Sequence, residues 1–459
     1  MRPEGLTRVD AVGLDPTILG FTMAVAVASG VIFGFAPLSQ LSRMEPAARL
    51  RQGNSAATRR SQRTRKLITA AEVAIALVLL IGAGLMAQTF ARLQEVNVGF
   101  DPDRLLTFTV SLSPQRFPTD LERGQLARQI ETELAALPGV VAVGGGSHLP
   151  FATWANWSQS APPEGVPPTD SERDKYHFDH RAVTPDYLTA IGARLVSGRF
   201  FEEHDDMSQQ PVIIIDDAIA ERAFPGEDPI GKRMHSVRYV NTSFEPTWAV
   251  VIGVIDGIRD RSPALPSGGQ VYWPFAQSPR WELTYVVRTE DDPSDLTDRV
   301  RSTVTGLRRD LAPSNFHVMD EYVATATAET RFTALLAAIF SGLAMVLAAR
   351  GLYSVITYST AQRSSEIGLR IALGARGKHI FASVLGEAIQ LCVIGVVVGL
   401  VGAIGLTRFI ASLLFDVSPT DPFMFGSMAV FFLGVTLLAS YLPARRATRV
   451  DPIEALRME

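Results

Sequence analysis

Three groupings of residues in this chain of 459 residues have the types and spacing that chemistry needs. The segment Gly226-Glu227-Asp228-Pro229-Ile230-Gly231-Lys232-Arg233 has the spacing of a phosphate-binding loop up to its last position. Such a loop cradles phosphate in free backbone N–H groups, holds magnesium with a Ser or Thr after the lysine, and joins a strand to a helix. Here Arg233 takes the Ser/Thr position, Pro229 removes an N–H, and the segment follows a stretch of helical spacing. A turn is expected, not a nucleotide site. His177 and His180, with Asp179 between them and His204-Asp205-Asp206 downstream, have the residue types of a metal site. Tyr176 to Val183 alternates like a strand, however, and residues three apart on a strand point to opposite faces. The expectation is solvated or hydrogen-bonded histidines. The third grouping is charge inside apolar runs: Glu72, Arg350 and Glu387. Such charges are functional candidates by default. Each sits within reach of the end of its run, where a long side chain extends to the interface, so the reading is structural. No Ser/His/Asp or Cys/His set has a recognisable local context for nucleophilic catalysis.

The elements that must carry these residues are segregated along the chain. Apolar runs are confined to the two ends, and the middle, roughly Asn97 to Thr330, carries most of the acids, prolines and tryptophans. A bilayer core needs about 20 apolar residues per helix. Five stretches satisfy this: Thr17 to Ala36, Leu67 to Ala91, Phe332 to Tyr358, Ser383 to Thr407 and Phe423 to Leu442. Lys and Arg collect on cytoplasmic loops. Arg43, Arg49, Arg51, Arg59, Arg60, Arg63, Arg65 and Lys66 lie between the first two spans, Arg363, Arg370, Arg376 and Lys378 between the third and fourth, and Arg445, Arg446, Arg449 and Arg457 at the C-terminus. Those segments are expected in the cytoplasm and the large middle domain outside, away from ATP. The sole cysteine, Cys392, falls in a span, so the outer domain must be held by its own core rather than by disulfides. No cleavable signal peptide is visible, and the first span is expected to remain as an anchor with its N-terminus outside.

The middle reads as mixed α/β. Leu106 to Leu112 alternates as a half-buried strand, and Leu121 to Leu137 has helical spacing ending at Pro138-Gly139. Val140 to Val143 starts a further strand. Pro211 to Ile215 and Ala249 to Ile255 are continuous apolar runs of strand length, as expected of strands buried on both faces. Asp216 to Phe224 looks helical, Tyr285 to Arg288 extended, and Asp295 to Leu311 helical. Two α/β subdomains fit this order, with Gly144 to Pro168 as a long surface loop.

Two stretches, Asp15 to Arg51 and Asp421 to Arg457, match without a gap: Asp-Pro, about twenty uncharged residues, a proline, basic residues and an acid-Pro pair. A span with a cytoplasmic foot has been used twice. Arg363 to Ala375 reads as an amphipathic helix in which Arg363, Glu366 and Arg370 form a narrow polar stripe, with Glu366 and Arg370 at i,i+4. Ile367, Ile371 and Ala372 cover the opposite side, and Leu369 and Leu373 flank the stripe. Both a helix lying on the membrane surface and a helix docked on a partner fit this pattern.

The stretch Arg363-Ser-Ser-Glu-Ile-Gly-Leu-Arg-Ile-Ala-Leu-Gly-Ala375 resembles the signature of FtsX-like permeases, and Leu442 to Arg457 is similar to that family's terminal motif. The middle resembles the periplasmic domain of MacB-type transporters through Gly99 to Arg104, Leu137 to Val140, Val183 to Tyr187, Gly198 to Phe200, Phe224 to Gly231 and Val271 to Pro274. The duplicated layout looks like the large bacterial ADOP permeases, which carry two such units and no ATPase domain. The resemblance implies a multi-pass α-helical membrane protein of about five transmembrane helices with a large α/β extracytoplasmic MacB-like periplasmic domain. Residues 1–53 would be the last helix and foot of a preceding FtsX-like unit, 54–66 a basic linker, 67–96 a transmembrane helix, 97–328 the periplasmic domain and 329–459 the FtsX-like permease domain with three spans. The chain is thus expected to be the C-terminal part of a larger permease. Arg350 departs from the pattern, standing where the family has a small or apolar residue.

The function implied is that of a permease subunit in a bacterial inner membrane. It would be driven in trans by a cytoplasmic ATP-binding cassette ATPase and would export or extract an envelope substrate. The alternative is an FtsX-type regulator of a periplasmic partner. Arg363, Glu366, Ile367, Gly368, Arg370, Ala372, Leu373, Gly374 and Ala375 would form the surface facing the ATPase. The lipid bilayer, and a second permease unit or a homodimer, complete the partner set. Nucleic acid is not expected, nor are catalytic residues, cofactor or metal.

Overall fold

The computed structural model describes residues 55–152, 157–166, 175–241, 243–308, 310–373 and 376–447, with Gly20, Met23, Ala24 and Val27. Apart from those four residues, the first repeat copy and the span Thr17 to Ala36 lie outside the described residues, as does the foot beyond residue 447. The described helices are α1 (Ser55–Glu95), α2 (Asp120–Ala135), α3 (Tyr187–Ala190), α4 (Asp217–Ala223), α5 (Thr297–Leu307), α6 (Met319–Gln362), α7 (Ser364–Ala372), α8 (Gly377–Thr407) and α9 (Pro422–Ala447). The strands are β1 (Leu105–Ser111), β2 (Val140–Gly146), β3 (Ser158–Ser160), β4 (His177–Val183), β5 (Leu195–Gly198), β6 (Val212–Asp216), β7 (Arg233–Val240), β8 (Ser243–Ile255), β9 (Gln270–Pro274), β10 (Glu282–Thr289) and β11 (Ser314–Val318). The described residues form two compact units: an α/β unit of Glu95–Ala328, and a helical unit of the described residues up to Gln94 and from Glu329 onward.

The α/β unit is one sheet of eleven strands in the order β11-β1-β10-β2-β4-β9-β6-β8-β5, with β3 added to β4 and β7 to β8. The sequence order suggested two subdomains. The strands instead share one ladder, and the division survives as separate apolar clusters. Leu106, Phe108 and Val110 of β1 face a cluster containing Ile130 and Leu134 of α2 and Val300 and Val304 of α5, whereas Leu105 belongs to a second cluster with Leu188 and Ile214. The period-two alternation read from Leu106 to Leu112 is present, but Leu105, Thr107 and Thr109 are buried too, so β1 is covered on both faces rather than half-buried. In β6, Ile213 and Ile215 enter a third cluster with Val251 and Trp273 while Val212 and Ile214 enter the second, so the strand is buried on both faces as its continuous apolar run implied.

Helix α2 starts with a capping box: Thr119 accepts from Glu122 N, and the Glu122 carboxylate accepts from Thr119 N. The stretch Gly144 to Pro168, expected as a loop, supplies the end of β2 and all of β3. Its first three glycines, Gly144 to Gly146, are packing residues. A Cβ on Gly144 would lie 2.3 Å from Tyr187 Cα, so only glycine lets α3 settle against β2.

In the helical unit, α1 within Arg63–Glu95, together with α6, α8 and Pro422–Arg446 of α9, is long and apolar enough to cross a membrane, and each contains one of the expected spans. Val73, Leu77, Ile81 and Leu85 of α1 pack with Ala348, Cys392, Val396, Phe425 and Phe432. Close approach of α1 and α8 depends on Gly395 and Gly399, four residues apart. A Cβ on Gly395 would lie 2.5 Å from Val73 Cγ1, and one on Gly399 would lie 2.9 Å from the Ala74 carbonyl oxygen. Lipid gives helices little hydrophobic reason to associate, so small residues that bring backbones together carry much of the packing.

Candidate functional sites

In the helical unit two cations and a hydroxyl converge on one carboxylate. Glu387 of α8 is ion-paired with Lys66 of α1, lies 3.5 Å from Arg363 Nη1, and accepts from Ser359 Oγ of α6 at 3.2 Å. Arg363 is the residue preceding α7, so this cluster fixes the start of α7 to three other helices. Around it, the Arg65 guanidinium stacks 4.2 Å from the Tyr358 ring, and Arg446 of α9 donates to Tyr353 Oη at 3.0 Å. The short α7 therefore leaves a braced base.

The residues expected on α7 divide between two faces. Ile367 is 7% exposed and Gly368 is buried, turned into the unit. Glu366 and Arg370 pair with each other at 2.5 Å on the outside, flanked by Leu369 at 51% and Leu373 at 79% exposure. The outward surface is thus an ion pair between two leucines. Gly374 and Ala375 lie outside the described residues, as does the side chain of Ala372. Sequence reasoning missed Lys66 and Ser359. Glu387 was visible as a charge in an apolar run, but its partners are far away in the chain.

The other candidates occupy separate places. His177 is exposed, its Nε2 2.8 Å from Ser158 Oγ, while His180 is buried with Nδ1 2.9 Å from Arg280 Nη2; the alternation of β4 separates them as expected. Asp205 pairs with Arg199 at 2.7 Å. No group of three or more potential metal ligands occurs among the described residues. Gly226 to Arg233 is a turn between α4 and β7. Its N–H groups are spent internally: Glu227 N on Phe224 O, Ile230 N on Asp228 Oδ1, Gly231 N on Val251 O and Lys232 N on Pro229 O. None of those four is left to cradle a phosphate. Arg350 is exposed on α6, and Glu72 packs against Gly351.

The α/β unit also contains a cavity of about 220 Å³ that no local motif announced. It lies among Trp157, His180, Tyr239, Arg280 and Trp281. His148 and Arg181 also line it: Arg181 is 2.9 Å from Asp260 Oδ2 and 3.5 Å from Asp179, and His148 Nε2 is 3.3 Å from Asp260 Oδ1. Asp260 is held below the usual carboxylate range: the His148 hydrogen bond and the Arg181 charge outweigh its burial.

Four apolar helices and a large mixed α/β domain define a multi-pass membrane protein with an extracytoplasmic domain. MacB-like periplasmic core domains match residues 67–303, just over half of the chain, and the FtsX-like permease C-terminal region matches 338–452. The chain belongs to the MacB/FtsX-like permease family. Among relatives, the macrolide export ATP-binding/permease protein MacB of Neisseria meningitidis is 26% identical over 60% of this chain and 43% of its own length. That of Agrobacterium fabrum is 29% identical over 60% and 42%, and that of Campylobacter jejuni 26% identical over 78% and 54%. The chain spans about half the length of the relatives it matches. A crystal structure of the periplasmic region of MacB from Actinobacillus actinomycetemcomitans aligns over 48% of this chain and 91% of that chain, with TM-score 0.31 and 15% identity.

Proposed function

We propose that the chain is the permease component of an ABC transporter in a bacterial inner membrane. In this reading a separate cytoplasmic ATPase drives it, and its large domain works in the periplasm on an envelope substrate. The observation that carries this reading is α7: a short helix braced at its base by the Glu387 cluster, with Leu369, Leu373 and the Glu366–Arg370 pair turned outward. A helix lying on a membrane surface would turn its apolar side to lipid and ring it with Lys and Arg. Here one apolar side is already used within the unit by Ile367. The two leucines that remain suit a groove on a protein, where a rigid helix transmits movement. The bracing matters because Arg363 links that movement to α1, α6 and α8 through one carboxylate.

The relatives named ATP-binding/permease proteins support the ATPase, which here would act in trans. The duplicated layout supports an ADOP-type arrangement, in which this chain pairs with a second permease unit. Tagged chain isolated from its native membrane should bring with it an ATP-binding cassette ATPase identifiable by mass spectrometry. The pair Leu369→Glu and Leu373→Glu should abolish that recovery while leaving yield and melting unchanged. Retention of the ATPase by this variant would refute the coupling role of α7.

A further inference from the structure

The cavity in the α/β unit has a physical cause in the sheet. Strands β2 and β4 are ladder partners only at Gly146↔Val183. Ser147 still meets Ala182 of β4 through its N–H at 2.8 Å and its Oγ at 2.9 Å, and from Trp157, whose carbonyl accepts from His180 N at 2.7 Å, β3 takes over the edge of β4 through Ser158↔Asp179 to Ser160↔His177. The gap between the end of β2 and the start of β3 is where the cavity opens. Trp157, Tyr239 and Trp281 wall it, and Trp157 and Trp281 are each 48% exposed, so the aromatic wall reaches solvent.

One charge in this wall has no carboxylate partner among the described residues. Arg280 is 9% exposed, and its guanidinium carbon lies 5.0 Å from the Trp157 ring, 5.0 Å from the Tyr239 ring and 5.6 Å from the Phe244 ring. Its Nη2 meets His180 Nδ1. That histidine is held neutral: burial lowers its pKa well below the ordinary value, and the charges of Arg280 and Arg181 add to this. It accepts a hydrogen bond and supplies no negative charge. Arg181 next to it is answered by Asp260 and Asp179, whereas among the described residues no carboxylate pairs with Arg280. Burial pushes the Arg280 pKa down to about 10. A buried cation without a counter-charge is costly, and aromatic faces offset that only in part. A planar guanidinium that has spent one edge on a histidine still offers donors matched to a carboxylate or phosphate.

We infer that this cavity is a binding site for an organic anion, with the anionic head on Arg280 and the apolar body along Trp157, Tyr239 and Trp281. Its volume is below the roughly 300–1,000 Å³ of sites that enclose drug-sized ligands. The site therefore takes a small amphiphile or the anionic end of a larger one. Glu282, exposed at the cavity lining, disfavours multiply charged anions and favours a single anionic group. The inference does not depend on how the chain is driven.

All five tryptophans, at positions 154, 157, 248, 273 and 281, belong to the α/β unit. Their fluorescence therefore reports binding in the full chain, held in phosphatidylcholine nanodiscs and titrated with hexanoate, hexyl phosphate, inorganic phosphate or hexylamine. Hexanoate and hexyl phosphate should give a saturable change, with inorganic phosphate weaker for want of an apolar body and hexylamine inactive. Arg280→Gln should weaken hexanoate binding by about tenfold to a hundredfold, the range for loss of a charged hydrogen bond. Glu282→Gln, at an exposed position that does not threaten folding, should tighten it. Replacing part of the phosphatidylcholine with phosphatidylglycerol separates two sources of the same chemistry. Competition with hexanoate assigns the site to lipid head groups, and its absence to soluble anions. The inference is overturned by the lack of any saturable response in the wild type, by equal binding of hexylamine, by a folded Arg280→Gln variant that binds as the wild type does, or by a Glu282→Gln variant with unchanged or weaker binding.

Discussion

Two carboxylates show how the setting of a residue decides what it does. Glu387 is surrounded by Lys66, Arg363 and Ser359 and acts as a tie between helices. Glu131 of α2 has its Oε1 buried with no hydrogen-bond partner, and burial raises its pKa from 4.5 to about 8, with the Thr184 hydrogen bond working the other way. A carboxyl whose pKa is raised on folding contributes stability that is complete below its unfolded value of 4.5 and is lost as pH rises through about 8. Glu131 should therefore contribute a decline in the melting temperature of the full chain, followed by tryptophan fluorescence, between about pH 5 and about pH 8.5, against the opposite contribution of buried His180 at the acidic end of that range. Glu131→Gln, neutral throughout, should flatten that decline; an unchanged slope would assign it elsewhere. Neither role was legible in the sequence. Glu131 looks like any polar helix residue, and the groups that act on its carboxyl, Thr184, Asp186 and Gly145, come from other parts of the chain. Arg280 and Trp157 likewise meet across a distance in the chain that no local motif spans.

At the scale of elements the sequence was more informative, because strand and helix periods are local. The runs at Leu106 to Leu112, Pro211 to Ile215 and Ala249 to Ile255 all lie on strands, and four expected spans lie on long apolar helices. What local pattern could not supply was pairing: β4 lies parallel to β9, and β6 lies between β9 and β8, so that one sheet replaces two subdomains. The same holds for α1 against α8. Gly395 and Gly399 are ordinary residues of an apolar run until Val73 and Ala74 are seen against them. Gly399→Leu should destabilise the helical unit by about 1–3 kcal/mol through overpacking, measured as denaturant resistance in detergent. Gly405→Leu, with nothing within 4 Å of an added Cβ, should leave it unchanged. Equal effects of the two would show that close approach at Gly399 is unimportant.

For the whole molecule, family membership follows from the α/β domain and the permease motifs together, and neither half suffices alone to say what the chain does. The helical unit supplies an outward helix on a braced base, and the α/β unit supplies a cavity whose buried Arg280 pairs with no carboxylate among the described residues. The central claim is that α7 faces an ATPase on the cytoplasmic side. The most direct measurement places a photoreactive amino acid at Leu373, or at the exposed Val196 of the α/β unit as a comparison, in cells carrying the chain, and identifies the adducts by mass spectrometry. An ATP-binding cassette ATPase crosslinked from position 373 and not from 196 is the expected result. Its absence from 373, or its appearance from 196, would contradict the claim.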